Sequence, residues 1–347
     1  MECVWQVVED PWLKKKPAII DALVAVVEPE TAGDPMSEQL WTRTSLTQIQ
    51  ESLESKGFAL STPTIAAILV YLGYSPKANQ KRLEGASHPD RDLQFRYIKQ
   101  VVDAFTLAGL PIISVDTKKK ELIGNFKNAG QCWSKEAISV NVHDFPQDAQ
   151  GKAVPYGIYL PHSKEGVVYI GNSADTSEFA VDCIKTWWST QGRLAYPTAE
   201  ELLIVADSGG SNSCRYHLWK DQLQEKMGNE LGLKVTVCHY PTGCSKWNPI
   251  EHRLFGPISV NWAGEPLQSF EKMMALINRT KTEAGLKVKA VLMDGVYKTG
   301  IKVSEAAIEA LHIMHHLICP LWNYTIAPVG ADKIESKALA NIGDLFF

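Results

Sequence analysis

The sequence predicts an α/β domain, its sheet flanked by helices, preceded by an all-α helix-turn-helix unit. Three observations predict it. The first 75 residues carry helical apolar patterns with capping residues, short apolar runs then end at Asp116, Asp207 and His239, and helical patterns separate those runs.

Length and composition allow such a chain a proper core. Its 347 residues are 45% hydrophobic and 21% charged, which suits a protein of two or three domains. No apolar run approaches the roughly 18 residues of a membrane span. Glu2, Glu9 and Asp10 interrupt the amino terminus, which lacks a signal-peptide pattern, so a cytoplasmic location is expected. The seven cysteines are odd in number and scattered, an arrangement for reduced thiols. Cys238, His239, Cys244 and His252 match no standard zinc spacing, and zinc is set aside.

The net charge of −4 is unevenly distributed. Residues 1–36 hold three lysines against seven acids, whereas residues 272–302 hold seven basic groups against two acidic ones. A basic stretch serves either as a solvated face or as a contact for phosphate backbone.

Residues 16–28 read as an amphipathic helix, with Pro17 in its first turn and apolar residues at 19, 20, 23, 24 and 27. A second helix spans 45–56, where Ser45 and Gln48 make a capping box and Gly57 ends it. Ser61 and Thr62 before Pro63 start a third helix through Tyr71, closed by Gly73. The outline is that of a helix-turn-helix DNA-binding unit over residues 1–75. On that reading Thr62, Thr64 and Tyr71 are candidates to reach double-stranded DNA. Residues 76–108 form a basic linker and a helix with Leu93, Tyr97, Val101, Ala104 and Phe105 on one face.

The α/β domain is expected over 109–270, with 271–347 as a basic segment and tail. Residues 112–115 make a buried strand that delivers Asp116. A second run at 121–126 is expected to pair with it as a hairpin whose turn, Lys118, Lys119 and Lys120, projects to solvent. Strands follow at 154–160 and 166–171, then a helix over 177–191 capped by Asp175 or Thr176, with Trp187 and Trp188 as core. A continuous apolar strand ends at Asp207 and enters Gly209 and Gly210, the kind of strand end where ligands gather in open α/β sheets. After a helix near 214–231 and a strand at 234–239, Asn248 is read as the cap of a helix whose first turn holds Pro249 and Glu251. His312, His315 and His316 stand at helical spacing in the tail.

Asp116, Asp207 and Glu251 can meet at one sheet edge. Carboxylates that close repel one another and call for cations. Hard oxygen donors select Mg²⁺, with Mn²⁺ as a substitute, and two such ions support in-line phosphoryl displacement.

Five motifs stand out: Ser114-Val115-Asp116-Thr117-Lys118-Lys119-Lys120-Glu121, Leu122-Ile123-Gly124-Asn125-Phe126-Lys127-Asn128, Val142-His143-Asp144-Phe145, Ala206-Asp207-Ser208-Gly209-Gly210-Ser211-Asn212 and Ser245-Lys246-Trp247-Asn248-Pro249-Ile250-Glu251-His252-Arg253. In these the chain resembles the Rhodopirellula-type DDE transposases of bacterial insertion sequences, and the likeness covers roughly residues 20–325. The resemblance implies a ribonuclease H-like mixed sheet, with Asp116, Asp207 and Glu251 as the acidic triad and metal ligands. It further implies cleavage at element ends, strand transfer into target DNA, a homo-oligomer in synapsis and work at the nucleoid. Lys118, Lys119, Lys246 and Arg253 are then candidate phosphate contacts, and Trp247 a stacking surface or a core residue. Two alternatives stay open: a ribonuclease H-like nuclease without strand transfer, and a domesticated DNA-binding protein without chemistry.

Overall fold

The computed structural model describes residues 17–27, 31–33, 40–42, 45–74, 88–132, 134–331 and 334–340. They fall into two compact units, Met1–Leu83 and Glu84–Phe347.

In the first unit, α1 (Pro17–Val27) precedes a short antiparallel pair, β1 (Thr31–Gly33) and β2 (Leu40–Thr42). α2 (Leu46–Ser55) starts with the expected capping box: the Ser45 hydroxyl accepts from the Gln48 amide, and Gln48 Oε1 accepts from the Ser45 amide. Gly57, at φ +83°, turns the chain toward α3 (Thr62–Tyr71), whose cap is Ser61. Leu23, Ile49, Leu53, Ile65 and Ile68 are fully buried together, so the three helices share one core.

The second unit is built on a nine-stranded mixed sheet. α4 (Arg91–Leu107) leads into β3 (Ile112–Thr117), β4 (Glu121–Ile123), β5 (Gly151–Leu160) and β6 (Glu165–Gly171). α5 (Ser177–Trp187), β7 (Glu201–Asp207), α6 (His217–Gln222) and β8 (Lys234–Tyr240) follow. Then come α7 (Gly256–Asn261), α8 (Phe270–Asn278), β9 (Lys287–Met293), α9 (Glu305–Glu309), β10 (Ile313–His315) and β11 (Asn323–Ile326). The strand order is β10-β11-β8-β7-β3-β5-β6-β9, with β4 as the ninth strand paired to β5 off this path. β7 runs parallel to β3 and β8 to β7, whereas β5 is antiparallel to both β3 and β6.

Burial explains the composition of these strands. Residues 202–206 are apolar without alternation because both faces of the central sheet are covered. α5 and α6 cover one face through Phe179, Ile184, Trp187 and Trp219. On the other, α4 lies over β3, β7 and β8, while α7 and α8 lie over β5 and β6.

Several sequence expectations change. β3 and β4 do not pair with each other; both pair with β5 as one interrupted strand. Between Thr117↔Tyr156 and Glu121↔Ala153, residues 118–120 face only residues 154 and 155, so the lysines form a bulge rather than a hairpin turn. The sheet also recruits β9, β10 and β11 from beyond residue 270, where the catalytic domain was expected to end. His315 belongs to a strand, since the histidine spacing that suggested a helix is overridden by pairing with β11.

Two histidines are locked inside this unit. The Trp219 indole N–H donates to the Tyr324 hydroxyl at 2.8 Å, Tyr324 donates to His239 Nε2 at 3.0 Å, and His239 Nδ1 donates to the Asp207 carbonyl at 2.9 Å. His316 is held between Tyr97 and Thr325. Burial pushes both imidazoles down to about 4. An unfolded imidazole takes up its proton near pH 6.5, so the unfolded chain gains protons first as pH falls. Each ring should therefore leave stability flat above about pH 6.5 and remove roughly 1.4 kcal/mol per pH unit between there and pH 4. In urea unfolding, the His316→Gln variant should lose less stability between pH 7 and pH 5 than the parent protein, a difference that isolates the ring from every other group titrating in the same window.

Candidate active site

Strand register places the first two acids. Val115 pairs with Ala206 in the parallel β3–β7 ladder, so Asp116 and Asp207 follow side by side at the same sheet edge. Both project on the face covered by α4, the side of Ile112 and Val205.

The third acid arrives on a helix. After a turn at Ser245–Trp247 the chain becomes helical at residue 249, widens into a π-turn over Glu251–Phe255 and continues as α7. Ile250, Leu254, Phe255 and Ile258 bury this segment against β5 and β6. Gly157 pairs with Asp116, and a Cβ there would lie 2.6 Å from the Phe255 ring and 2.9 Å from Ile250 Cδ1. Its missing side chain lets the helix settle directly on the strand beside Asp116.

The three carboxylates interact. Burial pushes the Asp116 carboxyl far above the carboxylate range, and the charge of Asp207 adds to it; the Thr117 amide, donating to Asp116 Oδ1 at 2.7 Å, partly offsets this. The charge of Glu251 and a hydrogen bond with it raise Asp116 further. Burial also raises Asp207, while a hydrogen bond from Asn248 lowers it and Glu251 raises it. Among the described residues no three His, Cys, Asp or Glu side chains stand in closed metal-ligating geometry. The donor chemistry nevertheless fits a hard cation. The half-buried carboxylates, two of which resist ionising, are all oxygen donors, and a divalent ion is what would let them ionise together.

An open cleft of about 590 Å³ lies beside the pair, lined by Asp116, Asp207, Asp175, Gly209 and lysines 119, 120 and 152 among others. Lys119 and Lys152 are exposed. Lys118 also borders the cleft but does not project to solvent: its ammonium sits 4.6 Å above the Trp262 ring and 3.5 Å from Glu121 Oε1. Lys246, Trp247 and Arg253 stand outside that lining. Trp247 is 53% exposed, edge-on to Phe95, with Lys246 Nζ 5.7 Å from its ring centre. Arg253 is exposed on the π-turn. Thr62, Thr64 and Tyr71 belong to α3 of the first unit, where Thr64 bonds Ser61 and Tyr71 is 49% exposed.

Sequence reasoning missed three contributors. Asn248 precedes the helix, and its carbonyl accepts from the Glu251 amide, but its side chain does not cap. It turns inward to Ser114, Val115 and Asp207. Asp175 leaves capping to Thr176; it accepts from Thr117 Oγ1 at 3.2 Å and lies 3.4 Å from Lys120 Nζ. Gly157 carried a readable signal, a glycine inside an otherwise apolar strand.

A mixed sheet flanked by helices, with acids gathered at one edge, defines the class of an α/β domain carrying a carboxylate site. The model of the Rhodopirellula transposase DDE domain matches residues 22–328, and the chain belongs to that family. No curated protein matches the chain. Among solved structures it is similar to the Mos1 transposase paired-end complex with left transposon end, at 12% identity over 73% of this chain and 67% of that one, with a TM-score of 0.37. It is likewise similar to the Mos1 mariner paired end complex with Mn, at 13% identity over 76% and 78%, with a TM-score of 0.34.

Two outcomes follow from the geometry. Because the folded carboxyl of Asp116 resists ionising while the unfolded one ionises near pH 4, an acid here costs stability at pH 7. Asp116→Asn should raise the melting temperature in EDTA by a few degrees, roughly what 1 kcal/mol gives a domain of this size. Gly157→Ala should lower stability by about 1–3 kcal/mol through overpacking, read by thermal melting.

Proposed function

We propose that this chain is a Mg²⁺-dependent DNA transposase that cleaves phosphodiesters at element ends and joins the freed ends to target DNA. The observation that carries the proposal is the convergence of Asp116, Asp207 and Glu251 at one sheet edge in a member of a DDE transposase family.

On this reading the three acids hold two Mg²⁺ ions, with Mn²⁺ as a substitute. Bound there, the ions supply Lewis-acid stabilisation of the attacking and leaving oxygens. The chain's own residues do the positioning. Asp116 and Asp207 are held on rigid adjacent strands, and Glu251 is delivered by a helix seated on Gly157. Lys119 and Lys152 give the cleft a cationic wall for phosphate oxygens, and Lys246 and Arg253 extend it beyond the lining. Lys118 keeps the bulge in place against Trp262 and reaches phosphate only by leaving that ring.

The reaction has two displacements of one kind. Water loses a proton and adds to the phosphorus at the element end as the bond to the 3′ oxygen breaks, and that oxygen takes up a proton, giving a 5′ phosphate and a 3′ hydroxyl; the 3′ hydroxyl then loses its proton and bonds to a target phosphorus as the target's own 3′ oxygen leaves and is protonated. α2 and α3 serve as the helix-turn-helix unit, with Thr62, Thr64 and Tyr71 of α3 toward double-stranded DNA. Pairing two ends requires a homo-oligomer, and the work belongs to the cytoplasm, on nucleoid DNA. Among the described residues no helix is long and apolar enough to cross a membrane.

The test is an end-labelled duplex carrying the element's terminal repeat, incubated with Mg²⁺ and a target plasmid. Cleaved and joined products are expected. Asp116→Asn, Asp207→Asn and Glu251→Gln should each lower both by more than the ~10–100-fold typical of outer-shell changes, with DNA binding retained. Cleavage without joining would make the protein a nuclease, and activity surviving all three substitutions would overturn the site.

A further inference from the structure

Asn248 has no group that could cut DNA, yet its side chain ties the site together. It is fully buried. Its Nδ2 donates to the Val115 carbonyl at 3.3 Å and to Asp207 Oδ1 at 3.1 Å, while its Oδ1 accepts from the Ser114 hydroxyl. Hydrogen-bond bookkeeping allows only this orientation. A carbonyl can only accept, so the amino end must face Val115; the amide oxygen then faces Ser114, which must donate. Asp207 consequently meets an N–H, and one of its oxygens is pinned in a fixed direction.

The helix start itself does not require this side chain, because the Glu251 amide is already served by the backbone carbonyl of Asn248. What the amide does is join three elements at the point where their acids converge: β3 through Ser114 and Val115, β7 through Asp207, and the Glu251 helix through its own backbone. We propose that Asn248, itself oriented by Ser114, is a positioning residue that sets the Asp207 carboxylate against Asp116 for a divalent cation. The proposal rests on the metal-dependent reading of the three acids. It follows the general behaviour of metal sites, where outer partners aim the ligands and their loss weakens metal binding.

Mn²⁺ is the probe, its free concentration followed by electron paramagnetic resonance on the full chain, with circular dichroism reporting the fold and duplex DNA binding measured in EDTA. Asn248→Ala should weaken Mn²⁺ about 10–100-fold, and Ser114→Ala should weaken it less, both with DNA binding unchanged. Asn248→Asp should not restore affinity, because it sets an oxygen against the Val115 carbonyl. A folded Asn248→Ala protein with parental Mn²⁺ affinity overturns the proposal. If that variant does not fold, Ser114→Ala, which removes one hydroxyl, decides by the same criterion. Mn²⁺ binding that survives both Asp116→Asn and Asp207→Asn would instead sink the reading of the acids, and this proposal with it.

Discussion

Like charges held close in a poorly solvated place are the constraint around which this unit is organised. Two unit charges 4 Å apart interact with roughly 4 kcal/mol at the effective dielectric of a protein surface. Asp116, Asp207 and Glu251 all contribute to one such interaction, and burial, the largest influence on both aspartates, strengthens it. No fold would gather these groups for stability alone. The cost is met by a rigid surrounding: parallel strands covered on both faces and a helix wedged onto a glycine.

The same carboxylates are braced from below as well as from the side. The Asp207 carbonyl accepts from His239 and so fixes its tautomer, while Tyr324, itself held by Trp219, donates to the other ring nitrogen, so β7, β8 and β11 are tied directly beneath the second acid. Asn248 performs the corresponding task at the side-chain level. Facing them, the lysine bulge interrupts β3 and β4 where the strand would otherwise run straight past the cleft, which places cationic side chains beside the acids.

Much of this was legible. Helices α1, α2 and α3 announce themselves through period and caps, because those signals act within a few residues. The strands ending in Asp116 and Asp207 were visible as apolar runs, and the motifs around them carried the family resemblance that the match over residues 22–328 establishes. Long-range pairing was harder. The sequence pattern favours joining neighbouring runs, so β3 and β4 read as a hairpin, whereas the available partner for both was β5, some thirty residues later. Asn248 looked like a cap because Asn before a Pro-started helix usually is one; its actual partners lie 41 and more positions away.

By itself, then, the sequence determined the local elements and offered the acids as candidates, since caps, glycine turns and apolar periodicity depend only on neighbours along the chain. Tertiary structure decided which acids meet and what holds them: the register that sets Asp116 beside Asp207, the contact at Gly157 that admits Glu251, and the inward turn of Asn248. The physical reason is that charge repulsion, close packing and buried hydrogen bonding depend on distance in space, and residues 116, 207 and 251 become neighbours only once the sheet is assembled.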